Sequence, residues 1–268
     1  MANPIFKNPL TRKLACYFLS LSFIGGIKNW PIVYLDYLGF FPSQEKCLVL
    51  RSGPKFNFRD YFDAWEIKET CIDKTYFLFG KPKKGSVVID IGAHIGAFAI
   101  FAAFLDKTSS VYAFEPDPGS HRVLIQNVKV NNLTNIKIFK LGVAGKKGKR
   151  KFYTLLSPNV NSLFKAEASS GFTEIECTTL KDIFILNKIR KCDFLKVDCE
   201  GAEYEILFSL PKEFFKRIER IALEYHDEYC QFNHEELARY LEKQGFEIKS
   251  VPHQREENVG FFYAKQKK

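Results

Sequence analysis

The sequence lacks the cysteine pairs that zinc ribbons, zinc fingers and secreted disulfide frameworks require. Its seven cysteines are an odd number scattered over 268 residues, and no two of them form a C-x-x-C pair. Zinc sites of those kinds need ligands a few residues apart, and disulfide-rich domains are short chains with an even count. The cysteines therefore indicate free thiols in a reducing compartment, and we expect a cytoplasmic protein.

The chain also lacks an internal repeat, which excludes solenoids and propellers, and it lacks a long hydrophobic run. Its apolar stretch at residues 14–27 is shorter than the roughly 20 residues that a transmembrane helix needs. Lys7, Arg12 and Lys13 precede this stretch as in a signal sequence, but no A-x-A-like cleavage site follows it. We expect an uncleaved helix packed on the protein or on a partner subunit, with peripheral membrane contact as the alternative.

Positive charge is in modest excess, with a formal net charge of +9. Much of the excess lies in KPKKG at 81–85, KKGKRK at 146–151 and the final QKK. Such runs are usually solvated loop tips, and no predicted helix carries a basic stripe, which disfavours nucleic acid as a partner. A hydrophobic content of 46%, with 15% aromatics, is enough to build a core and excludes a disordered chain.

From Ser86 onward, apolar strand patterns alternate with helical ones. The predicted parallel strands are SVVIDI, SVYAFEP, IKIFKL, FLKVD and RIALEYH. Asp117 before Pro118 is typical of a helix N-terminus, and Asn233 with Glu236 resembles a capping box. FEIKSV and GFFYAK look like a terminal antiparallel strand pair. The pattern predicts an α/β fold with a doubly wound sheet.

Residues 1–80 do not show this alternation. NWPIVYLDYLG has a short helical pattern that Gly39 can end, and CLVLRSGPKFNFR reads as a hairpin around Gly53. A further helix follows, with Asp60 or Asp63 as its N-cap. We therefore predict a mixed helical and hairpin N-terminal extension over residues 1–80, followed by a second domain over residues 81–268.

The glycine-rich turn DIGAHIG directly follows the first predicted strand, where doubly wound sheets bind their ligands. Gly92 and Gly96 permit a tight turn and a close approach of backbone N–H groups to a ligand. The pattern departs from the dinucleotide G-x-G-x-x-G, and Asp90 would repel a pyrophosphate. Asp90 instead suits the ammonium and sulfonium of S-adenosylmethionine. Glu115 ends the second strand and can accept hydrogen bonds from both ribose hydroxyls, so the pattern favours this donor over NAD.

A second polar group follows the fourth and fifth strands. Asp198 and Glu200 come after the fourth strand, and Glu224 and His226 end the fifth. If these two strands are neighbours in the sheet, all four residues lie at the mouth of one cleft. Such a group can act as a general base or hold a divalent ion. We expect no metal, because two carboxylates are few ligands for an ion. Asp198 has an alternative role in binding the donor's amino group. Lys196 is unusual in a central strand and either pairs with a carboxylate or reaches the cleft.

Four segments of the chain resemble the FkbM family of methyltransferases: VVIDIGAHIGAFAIFAA, VYAFEPDPGSHRVLIQNVKVNN, TTLKDI and DFLKVDCEGAEYEIL. KVDCEGAEYE is the most specific part, because the glycine turn is shared by all class I methyltransferases. NWPIVYLDYLG and DAWEIKE look like the N-terminal region of longer members. The resemblance implies a class I, Rossmann-like domain that uses S-adenosylmethionine, and an acceptor that is often a hydroxyl on a sugar or polyketide-like molecule.

These observations together lead us to expect an S-adenosylmethionine-dependent methyltransferase that methylates a hydroxyl on a sugar, glycan or other small molecule. The absence of a DPPY or NPPY motif disfavours amide and adenine amines. The alternatives are an RNA methyltransferase, which the lysine runs favour, and a non-catalytic adenosyl-binding interaction protein. The expected donor-binding residues are Asp90, Gly92, Ala93, His94, Gly96, Glu115, Pro116 and Val143. The expected catalytic residues are Asp198, Glu200, Glu224 and His226.

Overall fold

The computed structural model describes residues 21–41, 46–155, 161–164, 169–227, 231–253 and 258–267. Its N-terminal part begins with helical residues 21–26. The elements that follow are α1 (Pro31–Tyr37), β1 (Lys46–Val49), β2 (Lys55–Phe58), α2 (Tyr61–Ile67), a π-helical turn (Lys68–Asp73) and a 3-10 turn (Thr75–Phe77). No helix within these described ranges has the length and apolarity needed to cross a bilayer.

The N-terminal extension has the mixed character that the sequence predicts. Strands β1 and β2 pair as an antiparallel hairpin, and Gly53 in their loop has a φ of +117°. Asp60, rather than Asp63, is the N-cap of α2, because its side chain accepts hydrogen bonds from the backbone N–H groups of Phe62 and Asp63. Of the helix expected at 14–27, residues 14–20 lie outside the described part of the chain.

The rest of the chain contributes two further sheets and the helices that cover them. The elements are β3 (Val87–Ile91), α3 (Ala97–Leu105), β4 (Ser110–Phe114), α4 (Pro118–Val130), β5 (Ile136–Phe139), β6 (Gly142–Val143), β7 (Gly148–Leu155), β8 (Asn161–Ser162), β9 (Ser169–Thr178), α5 (Leu180–Leu186), β10 (Phe194–Val197), α6 (Glu203–Phe208), α7 (Lys212–Phe215), β11 (Arg220–His226), α8 (His234–Lys243), β12 (Phe246–Pro252) and β13 (Val259–Gln266).

The large sheet has seven strands in the order β12-β13-β11-β10-β3-β4-β5. β10, β3, β4, β5 and β11 pair in parallel, and β13 runs antiparallel to both of its neighbours. The predicted doubly wound sheet and terminal antiparallel pair are therefore confirmed. Asp117 caps α4 through the N–H of Ser120, and Asn233 with Glu236 forms the predicted capping box of α8.

A second sheet of four strands, in the order β6-β9-β7-β8, lies between β5 and β10 in the chain and was not predicted. Its strand β7 begins within the basic run KKGKRK, and none of its side chains over positions 148–153 is buried. Strand prediction relies on a buried, apolar face with a period of two residues, and β7 does not show one. β7 pairs with β9, whose residues lie up to 29 positions further along the chain; Gly148, for example, lies opposite Cys177.

The apolar core joins the N-terminal extension to the large sheet. Phe77 of the extension stacks on Phe98 of α3 with ring centroids 5.4 Å apart, and it also contacts Phe194 of β10 at 5.8 Å. One cluster of buried residues contains Phe23, Leu48 and other side chains of the extension together with those of β3 and α3. The extension therefore covers one face of the sheet. That a domain boundary lies near residue 80 stays a prediction.

Candidate active site

A cavity of about 200 Å³ opens where β3, β4, β10 and β11 reach the same edge of the sheet. This is the edge at which doubly wound sheets bind ligands. Within the described residues, six carboxylates line the cavity and no lysine or arginine does. The carboxylates are those of Glu66, Glu115, Asp117, Asp198, Glu200 and Glu224. A strongly acidic cavity in a chain of net charge +9 is a local property of this site.

The structure places eight of the twelve predicted site residues on the cavity wall. They are Gly92, His94, Glu115, Pro116, Val143, Asp198, Glu200 and Glu224. The other four, Asp90, Ala93, Gly96 and His226, do not line it. Apolar side chains of the second sheet, Phe152 of β7 and Ile175 of β9, complete the wall.

The glycine turn after β3 uses its backbone N–H groups internally. The N–H groups of Gly92 and Ala93 both donate to the carbonyl of Phe114, each at 3.0 Å, and that of His94 donates to Glu115 Oε2 at 2.7 Å. These three N–H groups are therefore not the ones that could approach a ligand, as was expected of the turn. The turn instead fixes the end of β4 and the carboxylate that follows it.

The two glycines of the turn are needed for close packing. Gly92 has a φ of +72°, and a Cβ at this position would lie 1.8 Å from the carbonyl oxygen of Asp198. A Cβ at Gly96, whose φ is +90°, would lie 2.3 Å from Leu124 Cδ1 in α4. Gly96 thus allows α4 to pack on the turn, and Gly92 allows the ends of β3 and β10 to meet.

Glu115 is held at the end of β4 by the backbone on both sides of it. In addition to the His94 N–H, its Oε1 accepts the N–H of Asp117 at 2.7 Å. The residue is 6% exposed and still lies on the cavity wall. Burial raises the pKa of Glu115 to about 7, although the two backbone N–H donors favour the ionised form. The carboxylate is therefore rigid and faces the cavity with its remaining lone pairs.

Lys196 is buried between two carboxylates rather than extended into the cavity. Its Nζ lies 3.4 Å from Asp90 and 3.3 Å from Asp198, and it donates to the carbonyl of Gly92 at 2.6 Å. Of the two alternatives from the sequence, the structure therefore shows the ion pair. Asp90, expected to face the donor, is fully buried opposite Lys196 in the β3–β10 register, and burial raises its pKa to about 6 although Lys196 opposes this rise.

β10 and β11 are neighbours, so the acidic side chains at their ends meet as the sequence predicts. One ligand atom from each of Asp198, Glu224 and His226 lies within 4.8 Å of the other two. Burial raises the pKa of Asp198, but Lys196 and His226 outweigh it and lower that pKa below its ordinary value. Burial and the neighbouring Asp198 raise the pKa of Glu224 well above its ordinary value.

His226 lies behind the cavity wall, between two glutamates. Its Nε2 is 3.4 Å from Glu200 and its Nδ1 is 3.3 Å from Glu203. Burial lowers the pKa of His226, but the two carboxylates outweigh it and raise that pKa well above its ordinary value. The imidazolium therefore compensates buried negative charge at this end of the site.

The turn after β10 is shaped by Glu203, which is fully buried at the start of α6. Its carboxylate accepts the backbone N–H groups of Cys199, at 2.7 Å, and Gly201, at 2.8 Å. Glu200 between them has a φ of +52°, an unusual conformation for a residue with a side chain. Its carbonyl accepts a hydrogen bond from the Ser162 hydroxyl. These contacts direct the Glu200 side chain toward His226.

The N-terminal extension supplies site residues that sequence reasoning missed. Tyr76 donates its hydroxyl to Asp198 Oδ2 at 2.8 Å, across 122 positions of the chain. Glu66 lines the cavity and contacts His94 Nδ1. Arg59 binds Asp63 with two side-chain hydrogen bonds of 2.8 Å each. No local pattern announces these long-range contacts, although DAWEIKE was among the segments similar to the family.

Comparison with known proteins agrees with this geometry. A family model described as "Methyltransferase FkbM domain" matches residues 90–248, more than half of the chain. Methyltransferase 1 of Beauveria bassiana is 23% identical over 202 residues, which cover 68% of this chain and 80% of that protein. The 31-O-demethyl-FK506 methyltransferase FkbM of Streptomyces tacrolimicus is 25% identical over 191 residues, covering 60% and 73%.

A solved methyltransferase structure has a similar fold. The crystal structure of methyltransferase FkbM from Methylobacillus flagellatus KT has a TM-score of 0.51 with this chain at 16% identity. The match covers 71% of this chain and 47% of the other, so this chain spans about half the length of that relative. This likeness shows the class I methyltransferase fold. With the family match over residues 90–248, it establishes that this chain belongs to the FkbM family of methyltransferases.

Proposed function

We propose that the protein transfers a methyl group from S-adenosylmethionine to a hydroxyl of an uncharged small molecule or glycan. The observation that carries this proposal is the six-carboxylate lining of the cavity, without a lysine or arginine from the described residues. S-adenosylmethionine is cationic at its sulfonium and its ammonium, whereas NAD carries an anionic pyrophosphate. An acidic cleft attracts the first ligand and repels the second.

The residues at the β4 end fit the adenosine part of this donor. Glu115 presents an anchored carboxylate that can accept both ribose hydroxyls, and Pro116 follows it on the cavity wall. Leu141 and Val143, which follow β5, offer an apolar surface of the kind that an adenine ring requires. When bound, the donor supplies an electrophilic methyl group on its sulfonium.

At the other end of the cavity, Glu224 is the residue that we assign as general base. It lines the cavity and has no hydrogen-bond partner among the described residues, whereas Asp198 is engaged by Tyr76 and Lys196. Burial and Asp198 raise its pKa, so its ionised form is a stronger base toward a hydroxyl proton than an ordinary carboxylate is. Asp198 and Glu200 border the acceptor, and His226 compensates the charge behind them.

The charge of the cavity also bears on the acceptor. Phosphate groups would meet carboxylates at Glu200 and Glu224, so we propose an acceptor without phosphate rather than RNA. The relative from Streptomyces tacrolimicus is named for the 31-O-demethyl form of FK506, and its name supports oxygen as the acceptor atom. An adenosyl-binding protein without catalytic activity is the remaining alternative, and the presence of a base at the cavity argues against it.

Binding and transfer assays test the donor assignment. We expect S-adenosylhomocysteine to bind and raise the melting temperature, and NAD to do much less. Glu115→Ala removes charged hydrogen bonds worth about 2–3 kcal/mol and should weaken S-adenosylhomocysteine binding roughly 30- to 150-fold in calorimetry. Equal stabilisation by NAD would refute the donor assignment. Labelled methyl transfer to pools of glycans, hydroxylated small molecules and RNA identifies the acceptor class.

Catalytic roles are tested on a confirmed acceptor. Glu224→Gln should lower turnover roughly 10²- to 10⁴-fold, the usual contribution of a positioned base, with donor affinity little changed. His226→Gln should have a smaller effect, because His226 does not reach the cavity. The metal alternative remains open to test, because Asp198, Glu224 and His226 lie close enough to share an ion. We expect full activity in excess EDTA; loss that Mg²⁺ or Mn²⁺ restores would assign these residues to a metal instead.

We also propose that the protein resides in the cytoplasm with reduced thiols. The cysteines Cys47, Cys71, Cys177, Cys192 and Cys199 are all unpaired in the structure. Burial raises the pKa of Cys192 to about 12, which makes that thiol unreactive in the folded state. Thiol titration of denatured protein isolated from cells should find all seven cysteines free. Protected cysteines and a shortened N-terminus would instead indicate export.

A further inference from the structure

We infer that Glu66, a residue of the N-terminal extension, binds the ammonium group of the donor's amino-acid arm. The inference rests on the proposed function and adds a binding residue outside the matched family domain. Glu66 lies in the last turn of α2 and reaches the cavity wall, with its side chain 28% exposed. Its Oε2 contacts His94 Nδ1, and its Oε1 has no hydrogen-bond partner from the described residues.

The position of Glu66 in the cavity fits the amino-acid arm. The His94 ring that it contacts belongs to the turn after β3, and the N–H of the same residue holds Glu115. β3 lies between β4, which ends at the proposed ribose site, and β10, which ends at Asp198. With the ribose on Glu115 and the sulfur directed toward the acceptor end, the amino-acid arm would lie near the end of β3. Glu66 lies on the cavity wall and contacts His94 in the turn that follows β3, the strand between these two ends.

Among the described residues, no lysine or arginine forms a direct ion pair with Glu66. Arg59 is paired with Asp63, and its Nη2 lies 2.6 Å from His94 Nε2. A guanidinium can only donate, so Nε2 must accept, and the ring is then neutral with its Nδ1–H donated to Glu66. Burial lowers the pKa of His94 and the carboxylates of Glu66 and Asp63 raise it, to about 9. Although this raised pKa favours a charged ring, a charged ring would place an N–H on Nε2, directly against the N–H of Arg59 Nη2 at 2.6 Å. We therefore assign the neutral form.

With a neutral His94, this group carries one net negative charge, on Glu66. The other carboxylates nearby are already satisfied: Asp198 is 3.3 Å from Lys196 and accepts from Tyr76, and Glu115 accepts two backbone N–H groups. A primary ammonium has three donors and a full positive charge, which is the complement of an uncompensated carboxylate on a cavity wall. Glu66 therefore selects the donor by its amino-acid arm, while Glu115 selects it by its ribose.

Two ligands that differ in the arm separate these contributions. S-adenosylhomocysteine carries the ammonium, and 5′-methylthioadenosine retains the adenosine and sulfur but lacks the amino-acid arm. We expect Glu66→Gln to weaken S-adenosylhomocysteine binding about 10- to 100-fold in calorimetry, the usual effect of losing a hydrogen bond to a charged group. The binding of methylthioadenosine should change less than about threefold. The glutamine oxygen can still accept the His94 proton, so the turn keeps its contact.

Control variants make the result specific to Glu66. Glu115→Ala should weaken both ligands, because both contain the ribose. Glu235→Gln, at a side chain of α8 that is 72% exposed, should weaken neither. Equal losses for both ligands in Glu66→Gln would mean that Glu66 only supports the turn, and unchanged affinity for both would remove it from the site. Failure of wild-type protein to bind either ligand would refute the proposed donor itself, which is a different outcome.

Discussion

At the scale of single residues, the site depends on charges that are buried together and compensate one another. Lys196 is 2% exposed, lies in the centre of the sheet and neutralises carboxylates on its own strand and on β3. Burial lowers its pKa, but Asp90 and Asp198 raise that pKa well above its ordinary value, so the ammonium stays charged. Such a group holds the ends of β3 and β10 in one arrangement, because separating its members would leave a charge without a partner.

Removal of this cation should be far more damaging than removal of an exposed one. We expect Lys196→Met to lower the free energy of unfolding by about 3–5 kcal/mol, the usual loss when one member of a buried ion pair is removed. Lys191→Met is the control, because Lys191 also pairs with two carboxylates but is 58% exposed, and exposed pairs contribute about 0–1 kcal/mol. Urea denaturation of both variants measures the difference. Equal losses would show that Lys196 is not structurally important.

The buried carboxylate Glu115 should make stability depend on pH. Its folded pKa, about 7, lies above the ordinary 4.5, so the folded state holds the proton more tightly than the unfolded state. The stabilisation is complete below pH 4.5 and is lost as pH rises to 7. We therefore expect the unfolding free energy of wild type, relative to Glu115→Gln, to fall by about 2–3 kcal/mol between pH 5 and pH 8. A difference that is independent of pH would contradict this shift.

At the scale of elements, the glycine turn between β3 and α3 leaves no room for a side chain at Gly92. Gly92 combines a left-handed φ with a carbonyl oxygen of the β10 end only 1.8 Å from where a Cβ would lie. Backbone atoms cannot rotate away as a flexible side chain can. The spacing of β3 and β10 at the site is therefore possible only with glycine at this position.

Gly85 provides a matched control for this argument. It has a φ of +71°, close to the +72° of Gly92, but a Cβ there would meet no atom within 4 Å. Gly85→Ala should cost about 1–2 kcal/mol from the left-handed backbone alone. Gly92→Ala should cost more than about 4 kcal/mol, or prevent folding, because the strand ends must also separate. Comparison of the two melting curves tests this, and similar shifts would show that the turn can relax.

At the scale of the whole molecule, the N-terminal extension is part of the same core as the sheet. It packs Phe77 on α3 and β10, brings Glu66 to the cavity wall, and places the Tyr76 hydroxyl on Asp198. The sequence boundary near residue 80 therefore marks a change of pattern, whereas the packing is continuous across it. We expect the extension and the sheet to unfold together.

The two tryptophans make this expectation measurable. Trp30 and Trp65 both lie in the extension, so tryptophan fluorescence reports on that part alone, whereas circular dichroism reports mainly on the larger remainder. Urea unfolding followed by the two probes should give coincident transitions, as a single cooperative unit does. Phe77→Ala should shift both curves together, by about 3–5 kcal/mol for a buried aromatic side chain. Separate transitions would show that the two parts are independent domains.

Much of the fold is encoded locally. The central parallel strands β3, β4 and β10 are largely apolar and buried, and α4 and α8 start directly after Asp117 and Asn233, whose side chains cap the first turn. Glu115 at the end of one strand and Asp198 at the end of another could be recognised because parallel strands deliver their carboxyl ends to one edge. These features depend on periodicity and position, which a sequence displays directly.

The sequence by itself determined the doubly wound sheet, the family and the acidic strand ends of this protein. Only the tertiary structure decided the partners of those groups: Asp90 faces Lys196, His226 lies behind the wall, and the extension brings Glu66 to the cavity and Tyr76 to Asp198. The physical reason is that a side chain's charge and direction depend on groups brought near it from distant parts of the chain. Local patterns record which face is buried, but they do not record what lies opposite.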